Sequence, residues 1–187
     1  TKLWRQVLEC GAAKPAPLTF FDATIHMAPA VVLRGLPEAV EYYKVLLKEL
    51  NERIESKIAA VEGERHRIYW DGMPIWGKLR DLSDQFSSLK TNVVASTYCS
   101  SWIFDAFDPT RPFESMARAY TELFIVRDES YKEAYMDQWI RNFSVDGVIF
   151  HDSRTCPNNS NSRYCMPQRM SDRLNVPALV INGDLND

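Results

Sequence analysis

The sequence predicts an α/β fold: a small, mainly parallel four-stranded sheet flanked by helices, with a long N-terminal helix and an irregular arm ahead of it. Four short runs rich in apolar, β-branched or aromatic residues, at 66–70, 92–98, 147–151 and 177–182, read as strands. The stretches between them, at 75–88, at 112–125 with 130–143, and at 162–174, carry helical patterns long enough for crossovers. Strand and helix therefore alternate, which implies parallel pairing with right-handed connections.

Taken in order, residues 1–35 hold Pro15, Pro17 and Pro29 between short apolar pieces, and are expected as the irregular arm, with one extended segment. Residues 36–187 form the expected α/β domain. It opens on a helix predicted over 37–64: Pro37 suits a first turn, Glu38 and Glu41 favour its positive end, and Val40, Tyr43, Leu47, Leu50, Ile54, Ile58 and Val61 recur at three and four. The strands and their crossovers follow without repeat, low-complexity tract or linker.

Composition narrows the function classes. With 45% hydrophobic and 25% charged residues among 187, the chain is an ordinary globular one. A formal net charge of -3 gives no field for gripping nucleic acid. The longest uncharged apolar stretch, around 27–33, is far short of the ~20 residues that span a bilayer, so no membrane segment is expected. The opening residue is Thr1 and no signal-peptide order follows it, so the chain is expected to be cut, processed or incomplete. Four cysteines, Cys10, Cys99, Cys156 and Cys165, are too sparse for a disulfide framework and read as reduced thiols of a cytoplasmic protein.

Ligands of open parallel sheets bind beyond the carboxyl ends of the strands. The residues following the four predicted strands include Asp71 and Trp76; Tyr98, Cys99 and Trp102; His151 and Cys156; and Asp184 with Asp187. Such a set can serve a metal, a nucleophile or packing alone. Cys156 reads either as a small buried hydrophobe at a helix entrance or as a thiolate whose pKa that helix lowers. Cys99, directly after a strand, favours packing, and Cys165 is placed on the helix after the third strand. His151 is a general base for Cys156 or a residue that orders its loop. No C-x-x-C or His-x3-His pair exists, so a self-contained zinc site is not expected, and no Gly-rich phosphate loop is present.

Four segments together carry a resemblance: Arg67-Ile-Tyr-Trp-Asp-Gly-Met-Pro-Ile-Trp76, Ser96-Thr-Tyr-Cys-Ser-Ser-Trp102, Asp146-Gly-Val-Ile-Phe-His-Asp-Ser-Arg-Thr-Cys-Pro-Asn158 and Gly183-Asp-Leu-Asn-Asp187. In this order they resemble the benzoyl-CoA reductase and 2-hydroxyacyl-CoA dehydratase family, with the nearest likeness to B-type subunits of ATP-dependent benzoyl-CoA reductases. The resemblance implies subunits of two α/β domains sharing a [4Fe-4S] cluster on three cysteine thiolates, two from the first domain and one from the second. This chain matches the second. Cys156 is the implied metal ligand, with Cys99 near it, and the upstream domain and the family's last helical segment are expected to lie outside the chain.

The implied activity is oxygen-sensitive, low-potential one-electron reduction of an aromatic acyl-CoA thioester, used in anaerobic aromatic degradation. The implied partners are a homologous cluster-bearing subunit and ATP-hydrolysing iron-sulfur activator subunits, so ATP belongs to a partner. Trp76, Tyr98, Trp102 and His151 are the implied site lining. The alternatives are a 2-hydroxyacyl-CoA dehydratase subunit using the same radical chemistry, and a flavodoxin-like binding or assembly domain without a redox centre. A Cys-His hydrolase is a further reading, disfavoured because no oxyanion-hole motif is evident.

Overall fold

The computed structural model describes residues 1–184. Strands β1 (His66–Asp71), β2 (Thr91–Ser96), β3 (Gly147–Ser153) and β4 (Ala178–Gly183) form one all-parallel sheet in the order β2-β1-β3-β4. The helices are α1 (Lys2–Glu9), α2 (Phe20–His26), α3 (Ala28–Val32), α4 (Pro37–Glu55), α5 (Leu79–Ser88), α6 (Thr97–Ser100), α7 (Pro112–Thr121), α8 (Glu129–Asn142) and α9 (Met166–Leu174). From β1 the chain crosses through α5 to β2, then returns through α6, α7 and α8 to β3 on the other side of β1. The strand order thus reverses between β1 and β3, the topological switch point at which open α/β sheets form a crevice.

Residues 1–35 correct the expectation of an irregular arm. They carry three helices, and they are part of the core: Trp4, Val7, Ala16, Phe20 and Phe21 are all buried. The signal is local. Thr19 accepts from the Asp22 backbone N–H at 3.1 Å while the Asp22 carboxylate accepts from the Thr19 backbone N–H at 2.8 Å, a capping box that starts α2 directly after the Pro15–Pro17 bend. Phe20 then stacks on Trp70 of β1 with ring centroids 5.6 Å apart, and Trp4 Nε1 donates to the Cys99 carbonyl at 3.0 Å. Burial of each such side chain is worth about 1.5–3 kcal/mol, enough to order short helices that propensity alone leaves marginal.

This N-terminal layer explains why β2, an edge strand, is buried at every position. The chain at Gly11 runs so close to it that a Cβ there would meet the Val94 carbonyl oxygen at 2.6 Å. Arg67, 4% exposed, ties the layer to the sheet: its guanidinium donates to the carbonyls of Gly11, Ala13 and Phe143 and pairs with Glu64 at 2.5 Å. Glu64 also accepts from the Ala16 backbone and the Asn92 amide, so both buried charges are hydrogen-bonded.

Helix α4 ends at Glu55, well before residue 64. Lys57 adopts φ 54, the Lys57 N–H reaches the Ile54 carbonyl at 3.1 Å, and the Ile58 N–H reaches the Arg53 carbonyl at 2.8 Å. This is a Schellman ending built on lysine instead of glycine, which is why no glycine announced it. The buried face is Ala39, Tyr43, Leu46 and Leu50, a stripe turned from the predicted one, with Val40 and Ile58 exposed. Helix α9 starts at Met166, because Tyr164 and Cys165 both have positive φ and break the predicted 162–174 helix.

Candidate functional site

The site is built where β1, β2 and β3 end. β1 finishes in Asp71, whose carboxylate is fully buried, accepts the Thr97 hydroxyl at 2.6 Å and accepts the Asn161 amide at 3.0 and 3.1 Å. The Tyr69 hydroxyl lies 2.8 Å from Thr97 Oγ1 and donates to it. One carboxylate therefore joins the ends of three elements: β1, the start of α6 and the loop after β3. Burial pushes Asp71 up to about 6, opposed by the hydrogen bonds from Thr97 and Asn161. Burial, then the Asp71 charge, holds the Tyr69 phenol well above its ordinary range.

Gly72 follows at φ +96, and a Cβ on it would meet the His151 carbonyl oxygen at 2.4 Å and that of Asn159 at 3.3 Å. Only glycine allows β1 to turn away this close to β3. The turn leads to Met73, whose carbonyl accepts both Trp70 Nε1 at 3.1 Å and His151 Nδ1 at 2.6 Å. His151 Nδ1 accordingly carries the proton, and its Nε2 is a buried acceptor without a partner among the described residues. His151 sits inside β3, 1% exposed, and its Nδ1 contact with the Met73 carbonyl ties β3 to the loop after β1.

After β3, Ser160 stitches the next loop: its hydroxyl accepts the Ser153 N–H at 2.9 Å and donates to the Cys156 carbonyl at 3.0 Å. Cys156 is held half-buried at the entrance of a three-residue 3-10 turn, Pro157–Asn159, not of a full helix. Its side chain lines a cavity of about 320 Å³ together with Met73, Tyr98, Trp102, Phe104, Tyr120 and Asn159. Burial raises the Tyr98 phenol, with Cys99 and Cys156 adding to it. Tyr120 belongs also to an exposed α7 stripe with Phe113 and Met116, spaced at three and four.

Of the residues singled out from sequence, the fold brings Cys156, Tyr98 and Trp102 to one cavity. Trp76 stands one layer behind, edge-on to Tyr98 at 5.9 Å. Cys99 is 1% exposed, with its Sγ 3.8 Å from the Thr24 hydroxyl, and burial pushes its thiol up to about 11. Cys165 is exposed at the cap of α9, not within the helix. Of the fourth strand's rim, 185–187 lie outside the described residues. Met73, Phe104, Tyr120 and the Thr97–Asn161 pair were not singled out, since apolar residues in loops and on an exposed helix carry no chemical signature.

A family model described as 2-hydroxyglutaryl-CoA dehydratase, D-component, matches residues 1–187. The chain belongs to this family. Among the family's curated members, it is 30% identical over all of its length to the (R)-2-hydroxyglutaryl-CoA dehydratase alpha subunit of Acidaminococcus fermentans, covering 38% of that protein. It is 28% identical to the lactoyl-CoA dehydratase alpha subunit of Anaerotignum propionicum, over 98% of this chain and 44% of the relative. It is 25% identical to a benzoyl-CoA reductase subunit of Thauera aromatica, over 97% of this chain and 45% of the relative. The chain spans less than half the length of these family members.

A three-thiolate cluster does not fit the residues of this chain alone. Cys156 is the one thiol in the cavity, Cys99 is sealed in packing, and no group of three His, Cys, Asp or Glu side chains is placed to hold a metal ion among the described residues. The arrangement offers a single thiol in an apolar, aromatic-walled hollow at the sheet's switch point. No described helix is long and apolar enough to cross a membrane.

Proposed function

We propose that this chain is the part of an acyl-CoA-transforming enzyme subunit that donates one thiolate, Cys156, to an iron-sulfur cluster completed by cysteines outside it. The observation that carries this reading is the half-buried Cys156 thiol in an aromatic cavity beyond β1 and β3, the crevice where open sheets of this order bind ligands. In this reading Tyr98 and Trp102 exclude water from the reacting acyl group, Trp76 backs Tyr98, and His151 fixes the Met73 wall. The partners are a homologous cluster-bearing subunit and an ATP-hydrolysing activator.

The higher identities to dehydratase subunits support 2-hydroxyacyl-CoA dehydration as the reaction. Ring reduction of benzoyl-CoA is the second reading, favoured by the aromatic walls and by the lack of a charged side chain among the described residues of the Cys156 cavity. Anaerobic reconstitution with ferrous iron and sulfide tests the common core. This chain alone is expected to develop no broad visible absorbance, whereas the subunit that joins it to the completing cysteines does so and loses it on Cys156→Ala. Absorbance that survives Cys156→Ala overturns the assignment, because this chain then supplies no ligand to the cluster.

A further inference from the structure

A second hollow, about 270 Å³, borders the far side of the Pro157–Asn159 turn. It lies between the start of α8 and the 157–166 segment, and shares Ile125 and the turn's loop with the Cys156 cavity. Its character is opposite. Arg127, Lys132 and Arg163 line it, and none of the three lies within ion-pair distance of a carboxylate among the described residues. Arg127 is braced over the Tyr131 ring at 4.0 Å, and Lys132 stands 5.6 Å from the Phe124 ring centroid. The two acids in the lining are spent elsewhere: Asp128 caps α8 by accepting the Tyr131 N–H at 2.8 Å, and Glu129 pairs with Arg169 at 2.7 Å.

The opposite wall is fixed in an unfavourable backbone. Tyr164 and Cys165 are consecutive non-glycine residues at φ 53 and 60, each conformation costing roughly 1–2 kcal/mol. Arg169 holds that wall by donating to the Tyr164 carbonyl while pairing with both Glu129 and Glu133 of α8. Three cations are thus gathered around a hollow next to the apolar one. Such a concentration, in which the buried Asp71 carboxylate acts on Lys132 only at a distance and no carboxylate of the described residues lies in ion-pair contact with the three cations, is suited to the anionic oxygens of phosphate esters.

We propose that this hollow binds the phosphate groups of the coenzyme A portion of the thioester substrate, while the acyl group enters the Cys156 cavity across the shared loop. The proposal rests on the acyl-CoA reading and adds the place and the residues by which the coenzyme is held. Arg127, Lys132 and Arg163 are assigned as phosphate-binding residues. The pantetheine arm, uncharged and flexible, crosses the Pro157–Asn159 turn, whose exposed Asn158 offers it an amide partner.

Calorimetric titration of this chain with coenzyme A, inorganic pyrophosphate and the phosphate-free benzoyl thioester of N-acetylcysteamine tests it. Arg127→Gln, Lys132→Gln and Arg163→Gln are each expected to weaken coenzyme A roughly tenfold, the loss of one charge-assisted contact. Pyrophosphate should compete with coenzyme A, and affinity for the phosphate-free thioester should not change in any variant. Unchanged coenzyme A affinity in all three variants overturns the subsite and leaves the acyl-CoA reading standing. Equal loss of coenzyme A and the phosphate-free thioester also overturns it, because the cations are then structural. Pyrophosphate binding without competition against coenzyme A overturns it in favour of a free-phosphate site. If the wild-type chain binds neither coenzyme A nor the phosphate-free thioester, the acyl-CoA reading fails and the subsite with it.

Discussion

Asp71 accepts the Thr97 hydroxyl at 2.6 Å where no solvent reaches the carboxylate. With Asn161 this contact ties β1, α6 and the loop after β3 into one rim. Because burial raises Asp71 to about 6 from the ordinary 3.8, the folded chain binds its proton more tightly than the unfolded one. Its contribution to stability is therefore full below about pH 4, is lost as pH rises through about 6, and is constant above, on the order of 3 kcal/mol in all. In Asp71→Asn this part of the pH dependence should vanish. Urea unfolding at several pH values between 4 and 7 checks it: an unchanged slope in the variant assigns the titration to another group.

Gly72→Ala should destabilise by about 2 kcal/mol or more, since φ +96 disfavours a side chain and the Cβ would lie 2.4 Å from the His151 carbonyl oxygen. A melting temperature within a degree of wild type would mean that the β1–β3 rim yields easily.

Arg67→Ala should cost about 3 kcal/mol, because it strands the buried Glu64 carboxylate and frees the carbonyls of Gly11, Ala13 and Phe143. The double change Arg67→Met with Glu64→Gln should recover part of that loss, since no buried charge is left unpaired. Denaturant midpoints of the two variants decide the point; equal midpoints contradict it.

Thiol reagents should distinguish the four cysteines. Cys165, exposed, reacts first, and half-buried Cys156 follows. Burial holds the Cys99 thiol up at about 11 and raises that of Cys10 as well, so both should react only on unfolding. Mass mapping after limited alkylation reads the order, and early labelling of Cys99 would show that its packing opens readily.

The strands were legible because each is a short run rich in apolar and β-branched or aromatic residues bounded by turn signals, and all four fall within a few residues of their expected places. The N-terminal layer was not. Its helices are too short to show a period, and their order comes from Trp4 and Phe20 packing on residues remote in sequence. Lys57, Tyr164 and Cys165 end or delay helices by adopting a left-handed backbone that their side chains do not advertise. Within the site, Cys156, Tyr98 and Trp102 could be gathered from strand ends, whereas the separation of Cys99 from the cavity depends on which way α6 faces. The cation-lined hollow needed the three-dimensional course of the loop after β3.

Tyr120 belongs both to the wall beside Cys156 and to the outward stripe with Phe113 and Met116. Hydrocarbon thus runs from the surface to the sulfur along this side, and these three side chains carry no charge to hold water on the way. Water along this flank finds few polar groups to bind, so the wall beside the thiol costs little to dry.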